Sequence, residues 1–380
     1  MLACGGCATG VTGSPRTVTA TQAVVDGRVV STVGGAVEYW AQYGPTRAYG
    51  SQTPHSTATA QRNIPLPVVI EIGGLARSTI YHYRLCASDS QQTGGPACGS
   101  DRTLRTQSFE CGETITSSVR LTGNLSCPPD VPAALVIGAD GIDVNLAGHL
   151  LAGAIGSGGG ADSIRNEGHA DVTIRNGQVL GAIQLLGASR NQIRDVDAGS
   201  TGAGIVVDGG EANEIRASSV DARGGGIGAN GSDDLVIAGT DVTSTFGPGI
   251  QVEGDRARVL RNAVTRGDIG GTSAIVLTGS NGRVVDNEVT GAWHLGGIAL
   301  LAGAGNLIAE NDVSGGQPDP SLERGGDGIF VEDLATGTFL RDNVTHANAG
   351  DGMEVQGSGA RLRGNAADGN GDFGIDAAAA

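Results

Sequence analysis

Acidic, imidazole and arginine side chains able to act on a substrate collect late in this 380-residue sequence. Asp327 and Asp351 lie 24 positions apart, and each is followed by a glycine and then an aliphatic residue, Ile329 or Met353. If the two segments are equivalent positions of stacked repeats, the carboxylates sit one strand spacing apart, about 5 Å. Two carboxylates that close cannot both ionise freely: one pKa rises, or a cation such as calcium sits between them. His294 and His346 fall at the same turn in the repeats before and after the one that carries Asp327, and complete a candidate catalytic set with the two aspartates. Trp293 would offer a flat sugar platform, with Arg266 and Arg324 as candidate substrate-binding cations. Asp319 and Glu323 join Asp327 and Asp351 as candidate calcium ligands. A solvated turn is also built from Asp and Gly, and insertions at turns are tolerated without any function.

The repeat that would align these residues is visible over 108–380. A small residue plus an aliphatic recurs at Ala182-Ile183, Gly204-Ile205, Gly226-Ile227 and onward to Gly374-Ile375, at intervals of 22 to 31 that average 24. A second aliphatic series runs between these anchors, from Ile193, Ile215 and Ile237 to Leu362. Each coil therefore carries at least two short strands with aliphatic residues pointing inward. Stacked on its copies, such a strand belongs to a solenoid rising about 4.8 Å per coil, with glycine expected at corners that need positive φ. Ten or eleven coils give a rod on the order of 50 Å long. A polar column, Ser218, Thr240, Asn262, Asn287 and Asn311, continued by Asn343 and Asn365, predicts a stacked corner ladder of side-chain amides. The ladder competes with glycosylation at Asn343, one of three Asn-X-Ser/Thr matches with Asn124 and Asn230. The longest interval contains an insertion, Gly315 to Asp327, just ahead of an anchor.

Cys111-Gly112-Glu113-Thr114-Ile115, Leu125-Ser126-Cys127-Pro128 and Gly141-Ile142-Asp143-Val144-Asn145-Leu146 together resemble the opening coils of secreted right-handed parallel β-helix proteins. The resemblance is to the pectate-lyase-like superfamily. It covers about 270 residues and implies the fold, but no single activity, since lyases, epimerases, hydrolases and adhesins share it.

Residues 1–15 read as a mobile Gly/Ser/Thr leader and 16–107 as a small all-β sandwich. Gly74-Leu75 followed by Thr79-Ile80-Tyr81-His82-Tyr83-Arg84 resembles the late strands of fibronectin type III domains. That resemblance implies a corner tyrosine at Tyr81, a central core aromatic at Trp40, and last strands joined by Cys86 and Cys98. The fold class expected for the chain is thus all-β: a sandwich, then a right-handed parallel β-helix of about ten coils over 108–380.

Cys86/Cys98 and Cys111/Cys127, 12 and 16 apart, predict two local disulfides and an oxidising compartment, with free buried thiols the alternative. Met1-Leu2-Ala3-Cys4 has the look of a lipoprotein cleavage site, which would place a lipid anchor on Cys4, although no apolar stretch precedes it. The final coil stops soon after Ile375, so both ends read as clipped. No apolar run is long enough to cross a membrane as a helix.

Charge and missing residue types narrow the function. All 24 basic residues are Arg, and 40 acids leave a net charge of −16, which argues against nucleic acid as a partner. Residues 1–107 carry +3 and residues 108–380 carry −19. An acidic rod repels polyuronates at long range unless divalent cations bind first. The rod also lacks Lys and Tyr, removing two common bases of elimination chemistry, whereas hydrolysis needs only two suitably placed carboxylates. Arg175, Arg194 and Arg216 point outward from consecutive coils, either to grip an acidic polymer or as part of a surface charge ladder. His149 and His169 read as structural corner residues. The resulting expectation is a secreted or cell-surface protein that engages polysaccharide and hydrolyses or cleaves it at the late turn. Its rival is a non-catalytic adhesive or structural spacer.

Overall fold

The computed structural model describes residues 7–90, 95–153, 162–267, 272–291, 295–317 and 325–377. The chain forms two compact units: Met1–Glu110 with Leu121–Leu125, and Cys111–Arg120 with Ser126–Ala380. Among the described residues no helix is long and apolar enough to cross a membrane.

The first unit has nine strands: β1 (Ala8–Val18), β2 (Ala23–Ser31), β3 (Gly35–Gly44), β4 (Ser51–Gln52), β5 (Ser56–Ala60), β6 (Leu66–Ile72), β7 (Ile80–Asp89), β8 (Ala97–Cys98) and β9 (Arg102–Arg105). β2 lies between β1 and β6, β3 pairs with β7, and β8 links β7 to β1, so that all nine strands belong to one sheet. Val25, Val29, Ile70 and Ile72 face Val37, Ala41, Tyr83 and Leu85 to form the core. The expected leader is corrected from Ala8 onward. Thr9, Gly10 and Val11 pair with Val30, Val29 and Arg28, since alternate small residues pack there as well as aliphatics would.

Trp40 is also corrected. Val37, Tyr39, Ala41 and Tyr43 turn inward, so strand alternation sends Trp40 to the outer face, where the His55 ring covers it at 3.9 Å. Tyr83 fills the centre instead and donates its hydroxyl proton to the Gly13 carbonyl at 2.9 Å. Tyr81 accepts a hydrogen bond at its hydroxyl from the Ala76 N–H at 2.9 Å. Disulfides join Cys86 to Cys98 across β7 and β8, and Cys111 to Cys127 in the second unit. Cys7 is disulfide-bonded as well. Cys4 lies outside the described residues.

The second unit is a parallel β-solenoid. Twelve strands, from Glu113–Ile115 to Ile375–Ala377, stack in sequence order along one face and define about eleven turns. The other long sheet takes two strands from most coils, as in Glu214–Arg216 and Ser219–Ala222. Register is one to one, Ile205 over Ile227 over Ile250 over Ile275, so identical aliphatic positions form a closed lumen. The small residue of each anchor has a steric cause. A Cβ on Gly204, Gly226 or Gly249 would come within 2.4, 2.4 and 2.5 Å of the Cγ1 atoms of Val220, Val242 and Val264 across that lumen.

The corner between the second and third strands departs from expectation. Its positive-φ position holds Ala217, Arg261, Asp286, Glu310 and Asp342 as well as Gly239 and Gly364. A left-handed non-glycine residue costs roughly 1–2 kcal/mol, and the side-chain ladder that follows each one, the Ser218 hydroxyl after Ala217 and an asparagine amide after the other four, offsets that cost. Asn287 donates from its backbone N–H and its Nδ2 to Asn311 Oδ1, and from Nδ2 to the Val259 carbonyl. Its own Oδ1 accepts the Asn262 N–H and Nδ2 at 3.0 Å each. Asn343 repeats the pattern while fully buried, with Nδ2 committed to Ile308 O and Asn365 Oδ1. That amide is closed to glycosylation in the folded chain.

Asn287→Ala removes the four side-chain bonds, keeps its backbone N–H on Asn311 Oδ1, and strands the buried Asn262 N–H. We expect a loss of about 3 kcal/mol in urea unfolding, with faster hydrogen exchange at Asn262 than at the distant Ile174.

Candidate functional site

The late coils bring three carboxylates together. Asp327 opens the strand Asp327–Val331, and Asp351 stands two residues ahead of Met353, the register partner of Ile329. Register therefore puts the aspartates on adjacent rungs. Glu354, partner of Phe330, is the third member. One oxygen of each carboxylate lies within 4.8 Å of the others. Asp327 is 5 % exposed and Asp351 9 %. Gly350 makes the close approach possible, because a Cβ there would stand 2.2 Å from Asp327 Oδ1.

Both aspartates also serve the backbone. Asp327 Oδ1 accepts the Asp351 N–H at 2.8 Å, and Asp351 Oδ1 accepts the Phe373 N–H at 2.8 Å. Burial pushes Asp327 up to about 7, reinforced by the charges of Glu354 and Asp351 and opposed by the Asp351 N–H. Asp351 is raised too, first by burial and then by Asp376, Glu354 and Asp372, against the Phe373 N–H. The result is one carboxyl that holds its proton near neutrality beside a second whose pKa is also raised. Such a set can donate a proton, or, once ionised, share a divalent cation. Calcium–oxygen distances of about 2.3–2.6 Å let one ion touch three oxygens so spaced.

The other expected site residues are placed differently. Arg266 is 2 % exposed, points toward the lumen side of its strand, and donates from Nη2 to the Phe246 carbonyl at 3.2 Å. His346 is exposed on the opposite sheet, with Nε2 3.0 Å from Asp312 Oδ1. Trp293, His294, Asp319, Glu323 and Arg324 lie outside the described residues. Glu354 was not anticipated, nor was Phe330, an outward-facing aromatic only 9 % exposed beside it. His169 sits at a corner with Nδ1 3.3 Å from Asp140 Oδ1.

Two acid-lined grooves of about 560 and 370 Å³ follow the amide-ladder corner. Asp195, Asp197 and Asp241 line the first, and Asp241, Asp286, Glu288, Glu310 and Asp312 the second.

The family described as a right handed beta helix region matches residues 162–313 and 270–380, together more than half of the chain. The chain belongs to this family. Its handedness is thereby given. No curated protein matches the sequence. Among solved structures, the chain is similar to a DFA-IIIase from Arthrobacter chlorophenolicus A6 in complex with DFA-III, at 15% identity over 59% of this chain and 71% of that one, TM-score 0.42. It is similar to the catalytic unit of a GH87 alpha-1,3-glucanase from Streptomyces thermodiastaticus strain HF3-3, at 10% identity over 98% of both chains, TM-score 0.43. It is also similar to the periplasmic alginate epimerase AlgG, at 14% identity over 69% of this chain and 76% of that one, TM-score 0.34. These likenesses are of fold.

The raised Asp327 pKa makes stability pH-dependent in a defined direction. Between the ordinary carboxylate range and about 7 the folded chain keeps a proton that the unfolded chain has released, so stability falls as pH rises through that window. Three pKa units correspond to about 4 kcal/mol at most. Urea titrations at pH 4.5 and 7.5 should show the decline, and Asp327→Asn should flatten it. A flat wild-type profile refutes the assignment.

Proposed function

We propose that this protein is an extracellular or periplasmic polysaccharide-acting protein, with its chemistry at Asp327, Asp351 and Glu354. One observation carries the reading: three carboxylates gathered within 4.8 Å on neighbouring rungs, one of them buried enough to stay protonated near neutral pH. The preferred reaction is glycoside hydrolysis. Asp327 gives its proton to the glycosidic oxygen as the bond to the anomeric carbon breaks, and the ionised Asp351 stabilises or takes that carbon before water releases it. The separation is nearer to the roughly 5–5.5 Å of retaining carboxylate pairs than to the roughly 6.5–9.5 Å of inverting ones. His294 enters as a proposed member of the catalytic set, Trp293 and Arg324 as proposed substrate contacts, and Asp319 and Glu323 as proposed additions to a calcium set.

Two disulfides support an oxidising compartment. The first unit is proposed as a fibronectin type III-like module, supported by the Tyr81 hydroxyl bound to the Ala76 N–H and by the pairing of β3 with β7. The structural likenesses add nothing to the choice of substrate.

A second reading, a non-catalytic surface spacer, is favoured by the same two aspartates acting as backbone acceptors. Asparagine keeps that acceptor and loses the acid chemistry, so the readings separate cleanly. Asp327→Asn and Asp351→Asn should each lower reducing-end release from a screen of plant, algal and bacterial polysaccharides by at least 100-fold while binding is retained. Unchanged turnover sinks the site, and no turnover by the wild type on any polysaccharide favours the spacer.

Calcium and the Asp327 proton compete for one carboxylate. Calcium should therefore raise the melting temperature at pH 8 more than at pH 5, with EDTA reversing the gain. Equal effects at both pH values, or none, remove calcium from the site.

A further inference from the structure

The outward positions on the second strand of each coil are unlike the rest of the rod. Thr173, Gln192, Glu214, Val236, Arg258, Arg283, Leu307, Phe339 and Arg361 succeed one another rung by rung, because their strands pair in register. A parallel column two residues along runs through Arg194, Arg216, Leu260, Val285 and Arg341 to Arg363. From Asp143 to Arg363 these two columns hold eight arginines and two acids, Asp143 and Glu214, in a unit that otherwise carries a large acidic excess.

Both acids are taken: Asp143 pairs with Arg175 and Glu214 with Arg216. Arg341 pairs with Glu310 and Asp342 of the neighbouring corner. Arg194, Arg258, Arg283, Arg361 and Arg363 are exposed and have no ion pair among the described residues. Arg258 and Arg283 are direct register partners, like charges about one rung apart, which is destabilising by itself. Beside them Leu260, Val285, Leu307 and Phe339 are part-exposed on consecutive rungs. The strip is narrow. Asp286, Glu310 and Asp342 flank one edge, and Asp233, Asp234 and Asp255 the corner at the other, where Arg256 holds the first two.

We infer that this arginine and aliphatic strip binds a linear polyuronate lying along the rod axis. Guanidinium groups match carboxylates in bidentate geometry. The aliphatic rungs match the apolar faces of pyranose rings, and one rung is of the order of one sugar unit. A polymer one sugar wide fits between the acidic borders, whereas a nucleic-acid duplex would overlap them. The long-range repulsion of the acidic unit is confined to about 8 Å at physiological salt, so a chain already on the strip feels the arginines first. This surface does not depend on the carboxylate trio.

Polygalacturonate binding to the full chain, measured by affinity electrophoresis and calorimetry in 0.15 M salt with EDTA, tests the inference. EDTA removes any calcium bridge at the carboxylates. Binding by the wild type, weakened at least 10-fold in R258A/R283A and kept in D327N/D351N, is the expected result. Both arginines are exposed, and an unchanged melting temperature will show that the variant folds. Equal affinity in R258A/R283A overturns the proposal. So does equal binding of neutral dextran or single-stranded DNA, or no polygalacturonate binding with arginine-dependent self-association, which would make a second copy the partner.

Discussion

Strands of three to five residues have too few hydrogen bonds and too little apolar area to persist alone. In the rod each exists because a copy lies about 4.8 Å above and below it. The stack holds only if every coil returns to the same register, and two interactions enforce that return. One is the lumen, where an anchor glycine leaves room for a valine from across the coil. The other is the asparagine ladder, which fixes the corner by satisfying the backbone of one rung with the side chain of the next. Chemistry placed on such a scaffold inherits its spacing: residues 24 apart in sequence become nearest neighbours.

That inheritance is why much of the fold was readable beforehand. Lumen positions accept few residue types, so Ile205, Ile227 and Ile250 announce themselves as a column. The ladder is equally restrictive, since an amide that both donates and accepts along the axis must be Asn over many rungs. The adjacency of Asp327 and Asp351 followed from the anchors beside them. The local disulfides followed from short spacing around turn-rich segments.

What could not be read shares a physical feature: positions where the fold constrains direction but not residue type. Glu354 occupies an outward column shared with Ala299 and Phe330, so no period marks it. Left-handed corners were expected to be glycine, but ladder hydrogen bonds hold Asp286, Glu310 and Arg261 in that conformation. Trp40 sits in a strand with aromatics of both parities, Tyr39 and Tyr43 on one face and Trp40 on the other, so type alone pointed the wrong way. His346 shares a coil with Asp351 but leaves it on the other sheet, because a corner intervenes.

The carboxylate trio shows how structural need and chemistry can occupy the same atoms. Each aspartate accepts a backbone N–H from the following coil, an interaction that favours the ionised form. Burial and neighbouring acids pull the other way and win at Asp327. A single surface aspartate capping a turn would remain an ordinary strong acid. The rod converts it by repetition, because stacking the same cap on successive rungs places like charges in contact and buries the inner one beneath the outer. A repeat that supplies carboxylates for capping therefore produces a weakened acid as a by-product. Chemistry needs only a substrate to reach it.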